Sequence, residues 1–315
     1  MTIGILITYW NERELLTECL KSIGQQVDRV DEVLVYDDAS DYPAKDYLPP
    51  GSMTRVIRGD RNRGPSYGRN ALLAASRSEY VHFHDADDLI SSGWCARLRA
   101  ELAASNVDVV FNEVSFFENE SSVWRESVLG LEALMGRSED LVRFALQGSI
   151  LAAAGTYRRE VVLRIGGYRQ ELWQSEDFDF HVRLAASGVA FRVIPEALIF
   201  CRSREGSRSG NRIEVYLCAL EAIQMLAREL PSRYFPDLAD AAARFGSDLF
   251  RLGERRAART AFDMATRIGP PAFRHQRYIY RLLARLGGAE LAELSSAWYR
   301  RFVPHGARRL LRLVR

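Results

Sequence analysis

The chain has 315 residues, 47% of them hydrophobic and 27% charged, ordinary globular values that exclude collagen-like, coiled-coil and fully disordered classes. A chain of this length buries roughly 75% of its unfolded surface, enough for one large domain with an appendage. Its 43 basic and 41 acidic residues leave a formal charge of +2, which provides no global attraction to nucleic acid.

Ile3 to Ile7 is an aliphatic run closed by Thr8-Tyr9-Trp10-Asn11, after which Leu15, Leu16, Cys19, Leu20 and Ile23 recur at helical spacing. This predicts a strand feeding a helix. Val33 to Tyr36 and Arg55 to Arg58 predict two further strands, Pro65 opens a helix through Ser76, and Glu79 to Phe83 predicts a strand running into acid. A helix is expected over Ile90 to Leu102. Asn106 to Phe117 and the surroundings of Val123 read as strands, Arg137 to Leu146 as a helix, and Arg158 to Ile165 as a short helix closed by Gly166-Gly167. Ser175 to Ser187 reads as a helix, and Ala190 to Ile194 and Ala197 to Cys201 as two strands. Alternation of this kind predicts a parallel, doubly wound α/β sheet covered on both faces, whose ligands bind beyond the carboxyl ends of the strands.

Arg204 to Asn211 has no apolar period and marks a domain edge, giving an α/β domain over 1–212 and a helical region over 213–315. The second region predicts helices at Tyr216 to Leu230, Leu238 to Leu252, Arg255 to Ile268, Arg274 to Leu286 and Ala289 to Phe302. It offers a surface for self-association. From Arg300 to Arg315 there are six arginines and no acid, the pattern of a peripheral contact with an anionic membrane surface. No stretch reaches the ~20 apolar residues of a spanning helix. Cys19, Cys95, Cys201 and Cys218 are far apart without a C-x-x-C pair, so neither a zinc site nor a disulfide framework is expected, and a cytoplasmic location fits.

The acids carry the chemistry. Asp37-Asp38 and Asp85-Ala86-Asp87-Asp88 each follow a predicted strand and so arrive at one edge of the sheet. Carboxylates gathered there suit a hard divalent cation shared with substrate phosphates, Mn2+ or Mg2+. An acid at a strand end also caps the next helix, as Asp88 would.

Taken in order, Thr8-Tyr9-Trp10-Asn11-Glu12, Asp37-Asp38-Ala39-Ser40, Asn62-Arg63-Gly64 with Gly68-Arg69-Asn70, and His84-Asp85-Ala86-Asp87-Asp88 form an ordered set of motifs. Gly155-Thr156-Tyr157-Arg158-Arg159, Gly166-Gly167-Tyr168 and Ser175-Glu176-Asp177-Phe178-Asp179-Phe180 complete it. Over about Thr2 to Gly210 the chain resembles the inverting family-2 glycosyltransferases with the GT-A nucleotide-sugar fold. The resemblance implies a non-processive enzyme that moves a sugar from a nucleoside-diphosphate sugar, UDP foremost, to a hydroxyl of a glycan or lipid-linked acceptor. Spanning helices and a Gln-x-x-Arg-Trp motif, the marks of the family's processive synthases, do not occur.

The resemblance assigns Thr8, Tyr9, Glu12, Asp38, Asp85 and Ala86 to the nucleotide, with Arg69 either meeting the diphosphate charge or pairing with Asp85. Asp87, with Asp85, would hold the metal. Asp177 would act as general base on the acceptor hydroxyl, next to Glu176. Trp173 would stack on a sugar or serve the core. Arg202, Arg204 and Ser207 fall in the loop that closes over the diphosphate, where Arg204 stands near a histidine of many relatives and, unable to bind a cation, would pair with phosphate. The competing reading is a non-catalytic nucleotide-sugar-binding or scaffold protein of a glycan assembly pathway.

Overall fold

The structure, a computed structural model, describes residues 1–118, 130–131, 140–148, 150–204, 210–271, 273, 276 and 278–302. Two compact units divide the chain, Met1–Asn211 and Arg212–Arg315.

In the first unit Ile3–Tyr9 forms β1 and Glu14–Gly24 forms α1, whose Leu16, Cys19, Leu20 and Ile23 are buried. Glu32–Asp37 (β2), Arg55–Arg58 (β3), Pro65–Ala75 (α2) and Tyr80–Asp85 (β4) follow. Leu89–Ile90 (β5), Trp94–Ala104 (α3), Val109–Phe117 (β6) and Leu141–Gln147 (α4) come next. Gly155–Arg158 (β7), Arg159–Arg164 (α5), Glu176–Ala186 (α6) and Phe191–Arg202 (β8) complete the unit. The eight-stranded sheet has the order β3-β2-β1-β4-β7-β6-β8-β5.

β7 and β5 run antiparallel to their neighbours and the other pairings are parallel. The sheet is therefore mixed, where the sequence alone predicts a parallel one. β1, β4 and β6 are buried on both faces, which explains the near-continuous apolar run of β1. Gly68 in α2 lets that helix close on β1 and β2, since a Cβ there would lie 2.9 Å from the Tyr36 ring and 3.1 Å from the Thr8 methyl.

Three expectations are corrected. The helix predicted from Ile90 begins at Trp94, because Leu89 and Ile90 pair with Phe200 and Ile199 as a short edge strand. Asp88 is accordingly no helix cap, and its buried carboxylate accepts the Arg202 amide at 2.8 Å. The two strands predicted at 190–201 are one, in which Pro195 and Glu196 are taken up by register shifts opposite Asn112–Val114. Proline has no N–H to give the ladder, so the bulge falls where the pairing would otherwise fail. The strand expected around Val123 and the start of the helix expected at Arg137 lie outside the described residues.

The second unit is helical among its described residues, with Arg212–Glu229 (α7), Phe235–Arg251 (α8), Arg255–Ile268 (α9) and Tyr278–Phe302 (α10). Gly288, at φ 83° and ψ 163°, interrupts α10 between the two helices predicted from sequence. α8 buries Leu238, Ala242, Phe245 and Leu249 against α9, which answers with Ala258, Ala261, Phe262 and Ala265. Within the described residues no helix is long and apolar enough to cross a membrane.

Candidate functional site

The parallel pairing of β1 with β2 and β4 brings Thr8 level with Tyr36 and Asp85, and Tyr9 level with Asp37. Thr8 Oγ1 donates to Asp85 Oδ1 at 3.2 Å. The edge predicted from strand ends is thus assembled by register.

Its acids divide into two groups. Asp37 is 1% exposed and accepts the Ser40 and Ala44 amides at 2.9 Å each. Asp38 is also buried, and its two oxygens accept the Arg63 and Gly64 amides at 2.9 and 2.8 Å. These carboxylates shape loops, and burial holds Asp38 above the usual carboxylate range despite its two donors. Glu12, Asp85 and Asp87 form the second group. Glu12 stands between two residues of positive φ, Asn11 at 57° and Arg13 at 44°, so the chain doubles back as soon as β1 ends. The turn is held by Tyr9, whose buried hydroxyl donates to the Tyr42 carbonyl at 2.6 Å and accepts the Arg13 amide at 3.3 Å. The Tyr9 side chain therefore serves the loop, and Ala86 is likewise buried between Asp85 and Asp87.

Burial raises the pKa of both Glu12 and Asp87, and the next contribution is a neighbouring charge, Asp87 for Glu12 and Asp85 for Asp87. One guanidinium relieves this crowding. Arg204 Nη2 donates to both Glu12 oxygens at 2.6 Å, while its Nε donates to Asp87 Oδ2 at 3.1 Å. Arg202 plays a different part: its Nη2 pairs with Glu18 at 2.7 Å and its Nε donates to the Asp87 carbonyl at 3.0 Å, beside the Phe117 ring. Ser207 lies outside the described residues.

Arg69 pairs with carboxylates on two elements. It is buried and donates to Asp85 Oδ1 at 3.0 Å and to Glu176 Oε1 at 2.7 Å. Through Asp85 and Glu176 it joins the end of β4 to the start of α6.

Asp177 is the second residue of α6, with Glu176 and Asp179 in the same turn, where carboxylates are favoured by the helix dipole. The helix is seated by aromatic packing: Phe180 stacks on Tyr168 at 4.2 Å and meets Tyr157 edge-on at 5.3 Å. His181 is the site residue that sequence reading passes over. Its Nδ1 donates to the Asp177 carbonyl at 2.7 Å, and its Nε2 accepts the Tyr157 hydroxyl at 2.7 Å. Burial drives its pKa down to about 3, which keeps the ring neutral in this role. The signal was its place four residues after Asp177, one turn on along the same helix.

Asp177 keeps part of its surface exposed. Burial, then the Glu176 charge, push its pKa up to about 7, against the lowering pull of Arg69. Trp173 is 47% exposed, and its ring covers Gly64 so closely that a Cβ there would stand 2.9 Å from it. With φ at +81°, Gly64 holds a conformation few other residues adopt. Trp173 therefore lies over the loop that Asp38 holds, with much of its surface open to solvent. Asn70 links two further motifs, donating to the Tyr168 carbonyl at 2.7 Å and accepting its amide at 2.8 Å.

Among the described residues, no three His, Cys, Asp or Glu side chains form a ready metal cage. The donor set does match a hard cation held by one or two carboxylates and completed by ligand phosphates, because Glu12, Asp85 and Asp87 are crowded oxygen ligands that need positive charge beside them.

Comparisons with known proteins bear on family and fold. The chain is 28% identical over 171 residues to the pre-mycofactocin glycosyltransferase of Mycobacterium tuberculosis, covering 53% of this chain and 36% of the relative. The match thus spans little more than a third of that relative's length. Among solved structures it is similar to residues 1–349 of Staphylococcus aureus TarS in complex with UDP-GlcNAc, at TM-score 0.70 and 19% identity over 96% of this chain and 92% of that one. It is also similar to the mannosyltransferase PcManGT of Pyrobaculum calidifontis in complex with GDP-Man and Mn2+, at TM-score 0.60 and 18% identity over 98% and 82%. These likenesses show the GT-A fold. A family profile described as Glycosyl transferase family 2 matches residues 4–166, a span that holds Thr8, Glu12, Asp38, Arg69, Asp85 and Asp87 and stops short of Asp177. On that match, which takes in half the chain and the whole carboxylate edge, the protein belongs to glycosyl transferase family 2.

Proposed function

We propose that the chain transfers a sugar from a nucleoside-diphosphate sugar to a hydroxyl of a glycan or lipid-linked acceptor, one or a few sugars at a time, with inversion at the anomeric carbon. The observation that carries this reading is the Asp85–Arg69–Glu176 bridge, because it couples the carboxylate edge to Asp177 through one buried guanidinium. The nucleotide complexes of the two structural neighbours support a donor of this class.

Thr8, Glu12 and Asp85 stand at the edge where the nucleotide would bind, Asp38 shapes that edge by holding the Arg63–Gly64 loop, and Trp173 offers an exposed aromatic face to a sugar ring. Asp87, with Asp85 beside it, would hold Mn2+ or Mg2+, which when bound supplies positive charge to the diphosphate leaving group. The chain's own contribution to the reaction is at Asp177. A carboxylate with a pKa near 7 is a stronger base than an ordinary aspartate and is still ionised in good part at neutral pH. It takes the proton of the acceptor hydroxyl as that oxygen attacks the anomeric carbon, and the sugar–phosphate bond breaks on the opposite face. Arg69 keeps Glu176 compensated, so that Asp177 carries less of its neighbour's charge.

The test is a thermal-shift panel of UDP, GDP, dTDP and CMP, with and without Mn2+, on the full chain. A diphosphate should raise the unfolding temperature, because it binds the native state alone, and Asp87→Ala should lose the part of the shift that depends on Mn2+. The reading fails if no nucleotide shifts the transition, or if Asp87→Ala retains the full Mn2+-dependent shift. The proposed membrane contact rests on the arginine-rich end, most of which (303–315) lies outside the described residues.

A further inference from the structure

We propose that Arg204 is a built-in competitor for the divalent cation, holding the carboxylate edge closed to metal until a diphosphate draws the guanidinium away. The inference deepens the reading above and rests on it for the identity of the diphosphate. Arg204 binds Glu12 through both carboxylate oxygens at 2.6 Å and Asp87 through Oδ2 at 3.1 Å. It thus uses ligand atoms that a hard cation would need, and supplies the charge the ion would supply. A guanidinium and a dication cannot share these oxygens without repelling one another.

The root of the side chain is fixed and its end is accessible. Two residues earlier, Arg202 is tied by its amide to Asp88, by Nε to the Asp87 carbonyl and by Nη2 to Glu18, whereas the Arg204 side chain is 39% exposed. The guanidinium is the most exposed member of the network, with Glu12 at 20% and Asp87 at 18%, so a competing anion can reach it from solvent. A diphosphate offers the planar fork of Arg204 a bidentate partner of higher charge and gives the metal further oxygens. When the guanidinium moves to phosphate, Asp87 is released to the cation. Metal and diphosphate would then bind with positive coupling, each raising the affinity for the other by the same factor.

The experiment titrates Mn2+ into the full chain without nucleotide and reads free Mn2+ by its electron paramagnetic resonance signal. Wild type is compared with Arg204→Gln and Arg204→Ala, each first shown to be folded by circular dichroism; Arg204→Gln keeps most of the side chain's bulk without its charge. Both variants should bind Mn2+ about tenfold or more tightly than wild type, within the usual range of coupling between sites. The gain should vanish when Asp87→Asn is added. With UDP or GDP present the gap between wild type and the variants should narrow. The proposal is overturned if the variants bind Mn2+ no more tightly than wild type, if none of them binds it measurably, or if the gain survives Asp87→Asn. Should no nucleotide bind any of these proteins, the donor reading fails, and the nucleotide-free titration still decides the role of Arg204.

Discussion

Asp177→Asn is expected to lose about 10²-fold or more in turnover while nucleotide affinity stays within about twofold of wild type, because a general base acts in the transition state and not on donor binding. Two pH measurements accompany it. In wild type, turnover should rise with pH through about 7, as Asp177 gives up its proton, and this limb should be missing from the residual activity of the variant. Stability should respond in the opposite sense. The folded pKa of Asp177 lies above that of an unfolded aspartate, so its contribution is fully present below about pH 4 and is lost as pH rises through about 7. Asparagine pays no such cost, and its Oδ1 can still accept the Phe178 amide that Asp177 accepts at 2.8 Å. After discounting for partial exposure, Asp177→Asn should be about 1–3 kcal/mol more stable than wild type at pH 8, and equal to it near pH 4, by urea denaturation. A variant less stable at pH 8, or one with undiminished turnover, removes Asp177 from the role.

Arg69→Met should produce the largest loss of stability, about 3–5 kcal/mol, because it strips the buried Glu176 carboxylate of its partner and leaves Asp85 without its guanidinium. Arg69→Met with Glu176→Gln should recover a good part of that loss, since a neutral amide leaves no uncompensated buried charge. The functional consequence is separate from the stability one. Arg69 lowers the Asp177 pKa, so in the single variant the ascending limb of the pH profile should move above its wild-type position. A stability change below about 1 kcal/mol would mean that Arg69 is not the bridge described here.

Most of the α/β unit was legible because its strands and helices announce themselves by period and by the acids that end them. β2 and β4 lie where apolar runs meet Asp37 and Asp85, β1 and β3 follow runs that end at Tyr9 and Arg58, and α6 begins with the Glu176-Asp177 pair. What was not legible depends on partners distant in the chain. β5 is two residues long and exists only because Phe200 and Ile199 pair with it, and no local pattern distinguishes it from the first turn of a helix. The antiparallel direction of β7 follows from its insertion between β4 and β6, a property of topology and not of composition.

The candidate site shows the same division. That acids would gather at one edge followed from strand order, but which of them face loop amides and which face one another did not. Asp38 and Asp88 spend their oxygens on the Arg63, Gly64 and Arg202 amides, so the edge open to a ligand is smaller than the count of aspartates implies. From sequence Arg204 reads as a phosphate partner, whereas its contacts with Glu12 and Asp87 come from residues 192 and 117 positions away. The Tyr157–His181 pair that seats Asp177 was hidden because a histidine on a buried helical face has the same pattern as any core residue.

Sugar transfer by direct displacement, with Asp177 as base, is read out by proton NMR of the first-formed product from a panel of α-linked nucleoside-diphosphate sugars with Mn2+, using water or a simple glycoside as acceptor. One donor should release its nucleoside diphosphate, the sugar should appear first as the β anomer, and Asp177→Asn should abolish its appearance on the same timescale. An α anomer as first product, or release at the wild-type rate by Asp177→Asn, would contradict it.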